Sequence, residues 1–134
     1  VYDAVRDAGN HSICGIDFDP ERVSKLTASG RRVVRGDATD SDLWEQICTK
    51  HTTMVLLTMI SHQANMLTIE RLTHAGYQGK IAATARFPDH RLELEEAGVS
   101  RAYDLYSEAG QGFADDVLEE LQNKPSEQDS AQSI

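Results

Sequence analysis

The sequence predicts an α/β fold in which helices cover both faces of a doubly wound parallel β-sheet, a three-layer α/β/α arrangement. Short runs of β-branched and apolar residues alternate with segments of helical periodicity along the chain. The connections between them are only a few residues long, which is typical of right-handed βαβ units. The pattern gives five strands and six helices, and a helix comes first.

The chain opens on a short amphipathic segment. Val1, Val5 and Ala8 recur on one helical face, and Gly9 and Asn10 tolerate the left-handed conformation that ends a helix. A doubly wound sheet would place a strand before this helix. We therefore expect the first strand and its following turn to be missing from this chain.

Five segments have the composition of strands. Residues 53–58 form the most continuous apolar run, which predicts a strand buried on both faces of the sheet. Cys14 lies inside the first predicted strand and is expected to be a core residue. The predicted strands are residues 12–17, 32–37, 53–58, 80–86 and 101–106.

The predicted helices are bounded by residues that favour helix ends. Pro20 and Pro88 fit the first helical position, where a missing N–H costs nothing. Thr39 or Ser41 can cap the third helix, and Ser61 can cap the fourth. The glycines expected to end helices are Gly30, Gly76 and Gly98.

The last helix, residues 109–121, carries an apolar stripe at Phe113, Val117 and Leu121. A stripe of this kind is needed to cover the sheet, and it could also face a partner. Residues 102–123 contain six acids and no Lys or Arg. We expect one domain over residues 1–122 and a disordered polar tail over residues 123–134.

The composition excludes several classes of protein. Lys and Arg number 13 and Asp and Glu number 22, so the net charge is −9. This charge argues against a nucleic-acid surface and against a basic membrane patch. No apolar run approaches the roughly 20 residues that a membrane span needs, so direct membrane insertion is not expected. Cys14 and Cys48 form no C-x-x-C pair, which favours a reduced, cytoplasmic setting.

Candidate binding residues lie where the predicted strands end, because ligands bind there in open α/β sheets. Asp17 and Phe18 follow the first strand, and a carboxylate at this place can accept hydrogen bonds from the ribose of NAD or a plain adenosine nucleotide. The alternative is that Asp17 or Asp19 only caps the next helix, Asp19 being the better cap. The full set of candidates is Asp17, Phe18, Asp37, Ala38, Thr58, Met59 and Arg86.

The later strand ends offer similar chemistry, each with a simpler alternative. Asp37 could accept from an adenine amino group beside the small Ala38, or form only a Gly-Asp turn. Thr58 and Met59 precede a helix N-terminus that favours negative charge, although plain capping by Ser61 explains the same pattern. Arg86 could bind phosphate, pair across an interface or form a surface ion pair.

The sequence contains none of the common arrangements of catalytic residues. The five histidines are scattered without the spacing of a metal site, and no serine lies in a G-x-S-x-G elbow. No Tyr-x-x-x-Lys pair is present. The sequence therefore predicts neither an enzyme nor a metal site.

Two blocks resemble the TrkA-N, or RCK (regulator of potassium conductance), nucleotide-binding domain. They read IDFDPERV at residues 16–23 and VVRGDATD at residues 33–40. The resemblance covers roughly residues 1–121, and residues 85–99 look closest to the Kef-type glutathione-gated potassium efflux systems. The family's glycine-rich turn belongs before Val1.

The resemblance implies a Rossmann-like cytosolic domain of a potassium channel, transporter or potassium/proton antiporter, held at the inner membrane through that partner. It implies NAD(H), AMP or ATP as a regulatory ligand without turnover, and a homodimer formed through the last strand and helix. Asp17 would then hold the ribose and Asp37 with Ala38 the adenine. Thr58 would line the ribose or phosphate region, and Arg86 would lie near the nucleotide or the dimer contact.

Two other functions fit the same residues. One is an NAD-dependent oxidoreductase whose catalytic half lies outside this chain. The other is a dimerisation module that has lost nucleotide binding.

Overall fold

The computed structural model describes residues 1–47 and 49–123, where helices and strands alternate as the sequence predicts. The strands are β1 Gly15–Asp17, β2 Val33–Arg35, β3 Met54–Leu57, β4 Lys80–Ala85 and β5 Arg101–Asp104. The helices are α1 Tyr2–Asp7, α2 Pro20–Ala28, α3 Ser41–Gln46, α4 His62–His74, α5 Pro88–Glu96 and α6 Leu105–Gln122. The predicted tail lies outside the described residues except for Asn123, and so does Cys48.

The chain divides into two compact units, Val1–Ile81 and Ala82–Ile134. In the first unit, β1 and β2 run parallel in a register that pairs Gly15 with Val33 and Asp17 with Arg35. The phenol of Tyr2 lies at the amino ends of these strands, where it accepts from the Arg32 N–H at 2.9 Å. Helix α1 is therefore tied to the end of the pair opposite to the candidate residues.

The remaining strands form a three-stranded sheet in the order β3-β4-β5. In the first unit, the Lys80 N–H donates to the Thr53 carbonyl at 3.0 Å, which sets the start of β4 beside β3. In the second unit, β4 and β5 are parallel and pair Ala82 with Arg101 through Ala85 with Asp104. Parallel strands with flanking helices confirm the predicted α/β class.

Each unit has its own buried side chains, and Leu72 in the first and Leu94 in the second are completely buried. The apolar core of the first unit also includes Trp44, Leu57, Ile69 and Ile81. The core of the second includes Ala83, Ala85, Val99 and Ala102.

Two burial predictions are wrong. Strand β3 is not buried on both faces, because Met54 and Leu56 on one face are 46% and 41% exposed. A strand loses both faces to the core only when helices cover both, and the described residues cover mainly the face of Leu57. Cys14 is exposed and precedes β1, because the ladder begins at Gly15, whose N–H donates to the Arg32 carbonyl.

Helix ends follow the predicted chemistry with one correction. Asp19 caps α2, accepting from the Glu21 N–H at 3.0 Å, and Ser61 caps α4. The cap of α3 is Asp40, and not Thr39 or Ser41, because both Thr39 donors bind Asp37. Gly30, Gly76 and Gly98 have positive φ angles of 87°, 80° and 99°, so each ends its helix as expected.

Helix α6 begins earlier than predicted, at Leu105, because Asp104 ends β5 and caps the helix through the Ser107 N–H. It is also wholly on the surface, since none of its residues is buried and Phe113 is 71% exposed. The predicted stripe therefore does not contribute core in the described structure.

Candidate functional site

The carboxyl ends of β1 and β2 bring the first candidate residues together. Asp17 pairs with Arg35 in the ladder, and the Gly36 N–H donates to the Asp17 carbonyl at 3.0 Å. Asp17, which ends β1, and Asp37, two residues beyond β2, therefore lie at the carboxyl ends of directly adjacent strands. Two carboxylates at these ends form an acceptor-rich surface for a ligand with hydroxyl and amino donors.

The Asp17 carboxylate is held on both oxygens. Its Oδ1 accepts from the Asp19 N–H at 2.9 Å, and its Oδ2 accepts from the Arg22 guanidinium at 3.0 Å. Asp19 keeps its capping role at the same time, so the capping alternative holds for Asp19. Sequence reasoning missed Arg22, although its place on the first turn of α2 gave a usable signal.

Phe18 lies beside this carboxylate with its side chain 69% exposed. An exposed aromatic ring is costly to leave in water and offers a flat face to a planar ligand. Among the described residues, no other aromatic ring contacts Phe18. The arrangement suits a base placed next to a ribose that Asp17 binds.

The loop after β2 is a tight turn built around Asp37. Its Oδ1 accepts from the Thr39 hydroxyl at 2.7 Å and from the Thr39 N–H at 2.9 Å. These bonds favour the ionised carboxylate and lower the pKa of Asp37 below its ordinary value. Within the described ranges Oδ2 accepts no hydrogen bond, so the exposed side chain keeps a free acceptor.

Side chains of α3 and α4 hold the backbone of the same loop through hydrogen bonds. The Ala38 carbonyl accepts from the Trp44 indole N–H at 2.7 Å and from the Thr68 hydroxyl at 3.2 Å. The Thr39 carbonyl accepts from Arg71 Nε at 3.1 Å. Trp44 and Thr68 are buried, so α3 and α4 fix the backbone that carries Asp37 and Ala38.

The loop after β3 presents Thr58 and Met59 before α4. Thr58 is exposed, and the Met59 carbonyl accepts from the side-chain amide of Asn65 at 3.1 Å. Asn65 is 1% exposed, and in the part of the chain described here its Oδ1 has no hydrogen-bond partner. Ser61 caps the helix, so the capping alternative holds there, and the positive end of the α4 dipole lies beside the loop.

Arg86 belongs to the second unit, one residue beyond β4. It is exposed, and its guanidinium pairs with no carboxylate in residues 1–47 and 49–123. The alternative of a surface ion pair is thus not seen for Arg86. Its role at a nucleotide or a dimer contact stays a prediction.

The pKa of Asp37 gives a test of the turn. Because the pKa of Asp37 is lower in the folded than in the unfolded protein, where it is about 3.9, its bonds to Thr39 stabilise the fold fully above that pH. This stabilisation is lost as the pH falls through the folded pKa. We expect the pKa of Asp37, measured by an NMR titration of its carboxyl carbon, to lie below the ordinary value of an aspartate. Thr39→Val removes the hydroxyl donor and should raise that pKa. Thr27→Val, on α2, is the matched control, and an unchanged Asp37 midpoint in Thr39→Val would contradict the assignment.

Within residues 1–47 and 49–123, no group of three His, Cys, Asp or Glu side chains is arranged to hold a metal ion. No helix in the same residues combines the length and the apolar character that crossing a bilayer requires.

Comparison with known sequences identifies relatives. The model of the TrkA-N domain family matches residues 1–104. The glutathione-regulated potassium-efflux system protein KefC of Cronobacter sakazakii is 33% identical over 86 residues. These residues make up 64% of this chain and 14% of the relative, so the chain spans only a small part of that protein.

Solved structures share the fold. The NAD(P)-binding domain of an exopolyphosphatase-related protein from Archaeoglobus fulgidus has a TM-score of 0.78 at 20% identity, over 88% of this chain and 87% of that one. The TrkA-N domain of the Escherichia coli inner membrane protein YbaL has a TM-score of 0.72 at 17% identity, over 84% of each chain. The GsuK channel bound to NAD has a TM-score of 0.68 at 19% identity, over 76% of this chain and 18% of that one. At these identities the likeness shows a common Rossmann-like fold.

Proposed function

This chain belongs to the TrkA-N family, and from that premise we propose that it is a regulatory nucleotide-binding domain of a potassium transport system rather than an enzyme. The ligand is an adenosine nucleotide, NAD(H) or AMP, that binds without turnover. The observation that carries this proposal is the pair of adjacent strand ends that carry Asp17, Phe18 and Asp37. The GsuK channel, solved with NAD, supports the choice of ligand class.

Each residue has a defined part in this proposal. The Asp17 carboxylate accepts from the ribose hydroxyls, and Phe18 and Ala38 bound the adenine. The free Oδ2 of Asp37 accepts from the adenine amino group. Thr58 and Met59, beside the α4 N-terminus, line the ribose and phosphate region. Arg86 supplies a cation for phosphate or for a dimer contact.

In this proposal residues 1–122 form one Rossmann-like nucleotide-binding domain, in which the ligand lies at the carboxyl ends of the parallel strands.

The partner in this proposal is a membrane-embedded potassium channel, transporter or potassium/proton antiporter, with this domain on the cytoplasmic side of the inner membrane. The relationship to KefC, a potassium-efflux protein, supports that partner. A homodimer links the domain to gating, because a ligand that prefers one dimer arrangement shifts the equilibrium toward it and acts on the attached subunit. The exposed apolar stripe of α6 is the surface that supports dimerisation.

Isothermal titration of the full-length protein with AMP, ADP, ATP, NAD and NADH tests the nucleotide proposal. We expect saturable binding of at least one of them, with no change in the absorbance of NADH over time. No binding by any of the five in a folded protein would overturn the proposal and favour a pure dimerisation module. Steady oxidation of NADH by dissolved oxygen or by an added carbonyl substrate would instead favour an oxidoreductase.

A further inference from the structure

Arg22 bridges the carboxylates of Asp17, the last residue of β1, and Asp19. Its Nη1 lies 3.0 Å from Asp17 Oδ2, and its Nη2 lies 3.4 Å from Asp19 Oδ2. The Asp17 side chain is 20% exposed and that of Arg22 is 57% exposed. The more exposed guanidinium thus bonds one oxygen of a carboxylate that is largely shielded from water.

The position of Arg22 is unfavourable for the helix that carries it. It is the third residue of α2, where the unpaired N–H groups and the helix dipole disfavour a cation. An exposed ion pair also contributes little to folding stability. Helix formation therefore does not explain an arginine at this position. Its contact with Asp17, the residue expected to bind the ribose, does explain it.

We propose that Arg22 is a positioning residue, which orients the Asp17 carboxylate for the 2′- and 3′-hydroxyls of the adenosine ribose. This inference rests on the proposed function. The Asp19 N–H holds Asp17 Oδ1 and Arg22 holds Oδ2, so the plane of the carboxylate is set before a ligand arrives. Preorganisation of this kind improves affinity because less side-chain freedom is lost on binding.

The carboxylate keeps enough acceptor capacity for the ligand. A carboxylate has about four lone-pair sites, and the recorded contacts use one on each Asp17 oxygen. One site on each oxygen remains, which matches the two donors of a ribose diol. Arg22 can therefore stay in place when the ribose binds, and it acts through Asp17 without touching the ligand.

The test compares AMP with 2′,3′-dideoxy-AMP, which lacks both hydroxyls, by titration of the full-length protein. Arg22→Gln is expected to weaken AMP about three- to tenfold, the cost of ordering a free side chain. It should change the affinity for dideoxy-AMP less than about twofold, because that ligand makes no bond to the carboxylate. The matched control is Arg6→Gln, which removes a guanidinium paired with Asp3 and Asp7 on α1.

Three other results of the Arg22→Gln titration would contradict the proposed role of Arg22. If Arg22→Gln weakened the binding of AMP and dideoxy-AMP equally, Arg22 would act on the phosphate through its charge. If the variant bound AMP more tightly, Arg22 would compete with the ribose for Asp17. Either result would overturn the proposal. An unchanged AMP affinity would do the same. If the wild-type protein binds no nucleotide at all, the proposed function fails first, and that result is separate from a failure of Arg22 alone.

Discussion

Replacing Asp17 with alanine is expected to weaken the binding of AMP or NAD by about a hundredfold or more, because both ribose hydroxyls lose their acceptor, and isothermal titration would measure this loss. Hydrogen bonds to a charged group are worth about 1.5–3 kcal/mol each, and every 1.4 kcal/mol is a factor of ten in affinity. The substitution removes the acceptor for the ribose and leaves Arg22 without its closer partner. The loss should appear in every ligand that carries an adenosine ribose.

Asp7→Ala is the matched control, because Asp7 is an exposed carboxylate paired with Arg6 on α1. That helix is tied to the amino ends of β1 and β2 through Tyr2, away from the candidate site. We expect the control to bind as the wild type does. Asp17 would be removed from the site if Asp17→Ala, with its circular dichroism spectrum unchanged, bound AMP with wild-type affinity.

Replacing Phe113 with serine is expected to convert the proposed dimer largely to monomer. Phe113, Val117 and Leu121 recur on one face of α6 and are all exposed in the single chain. Full burial of such a side chain is worth about 1.5–3 kcal/mol, and the substitution removes one from each protomer, so the dimer dissociation constant should rise by about a hundredfold or more. Sedimentation velocity over a range of concentrations measures this constant.

Glu119→Ser provides the control on the same helix. At 100° per residue Glu119 lies outside the apolar stripe, among the acids of the opposite face. Its removal should leave dimerisation unchanged or slightly stronger, because one negative charge is lost from an acidic helix. A wild-type protein that is monomeric at high concentration would contradict the proposal, as would a Phe113→Ser variant with an unchanged dissociation constant.

Local chemistry explains why so many elements could be predicted from the sequence. Pro20, Asp19 and Gly30 determine where α2 begins and ends through a fixed φ, a side-chain cap and a positive φ, none of which needs a distant residue. The alternation of such helices with short strands was enough to predict the parallel α/β class. The residues at the strand ends could be named as candidates for the same reason, since each follows a strand directly.

Burial and side-chain partners depended on residues far apart in the chain. No pattern along residues 53–58 shows whether a helix covers each face, so the exposure of Met54 and Leu56 had to be seen in the fold. The anchoring of Ala38 by Thr68 joins residues thirty positions apart. Only tertiary packing decides such contacts.

The sequence by itself determined the order of strands and helices, the caps of α2 and α4 and the acidic residues at the ends of β1 and β2, because these depend on neighbours within a few positions. The tertiary structure decided that Asp17 and Asp37 share one edge, that Arg22 is bonded to Asp17, and that α6 leaves its apolar stripe exposed. The reason is physical: backbone propensity acts locally, whereas burial and hydrogen-bond partners are set by where the chain returns in space.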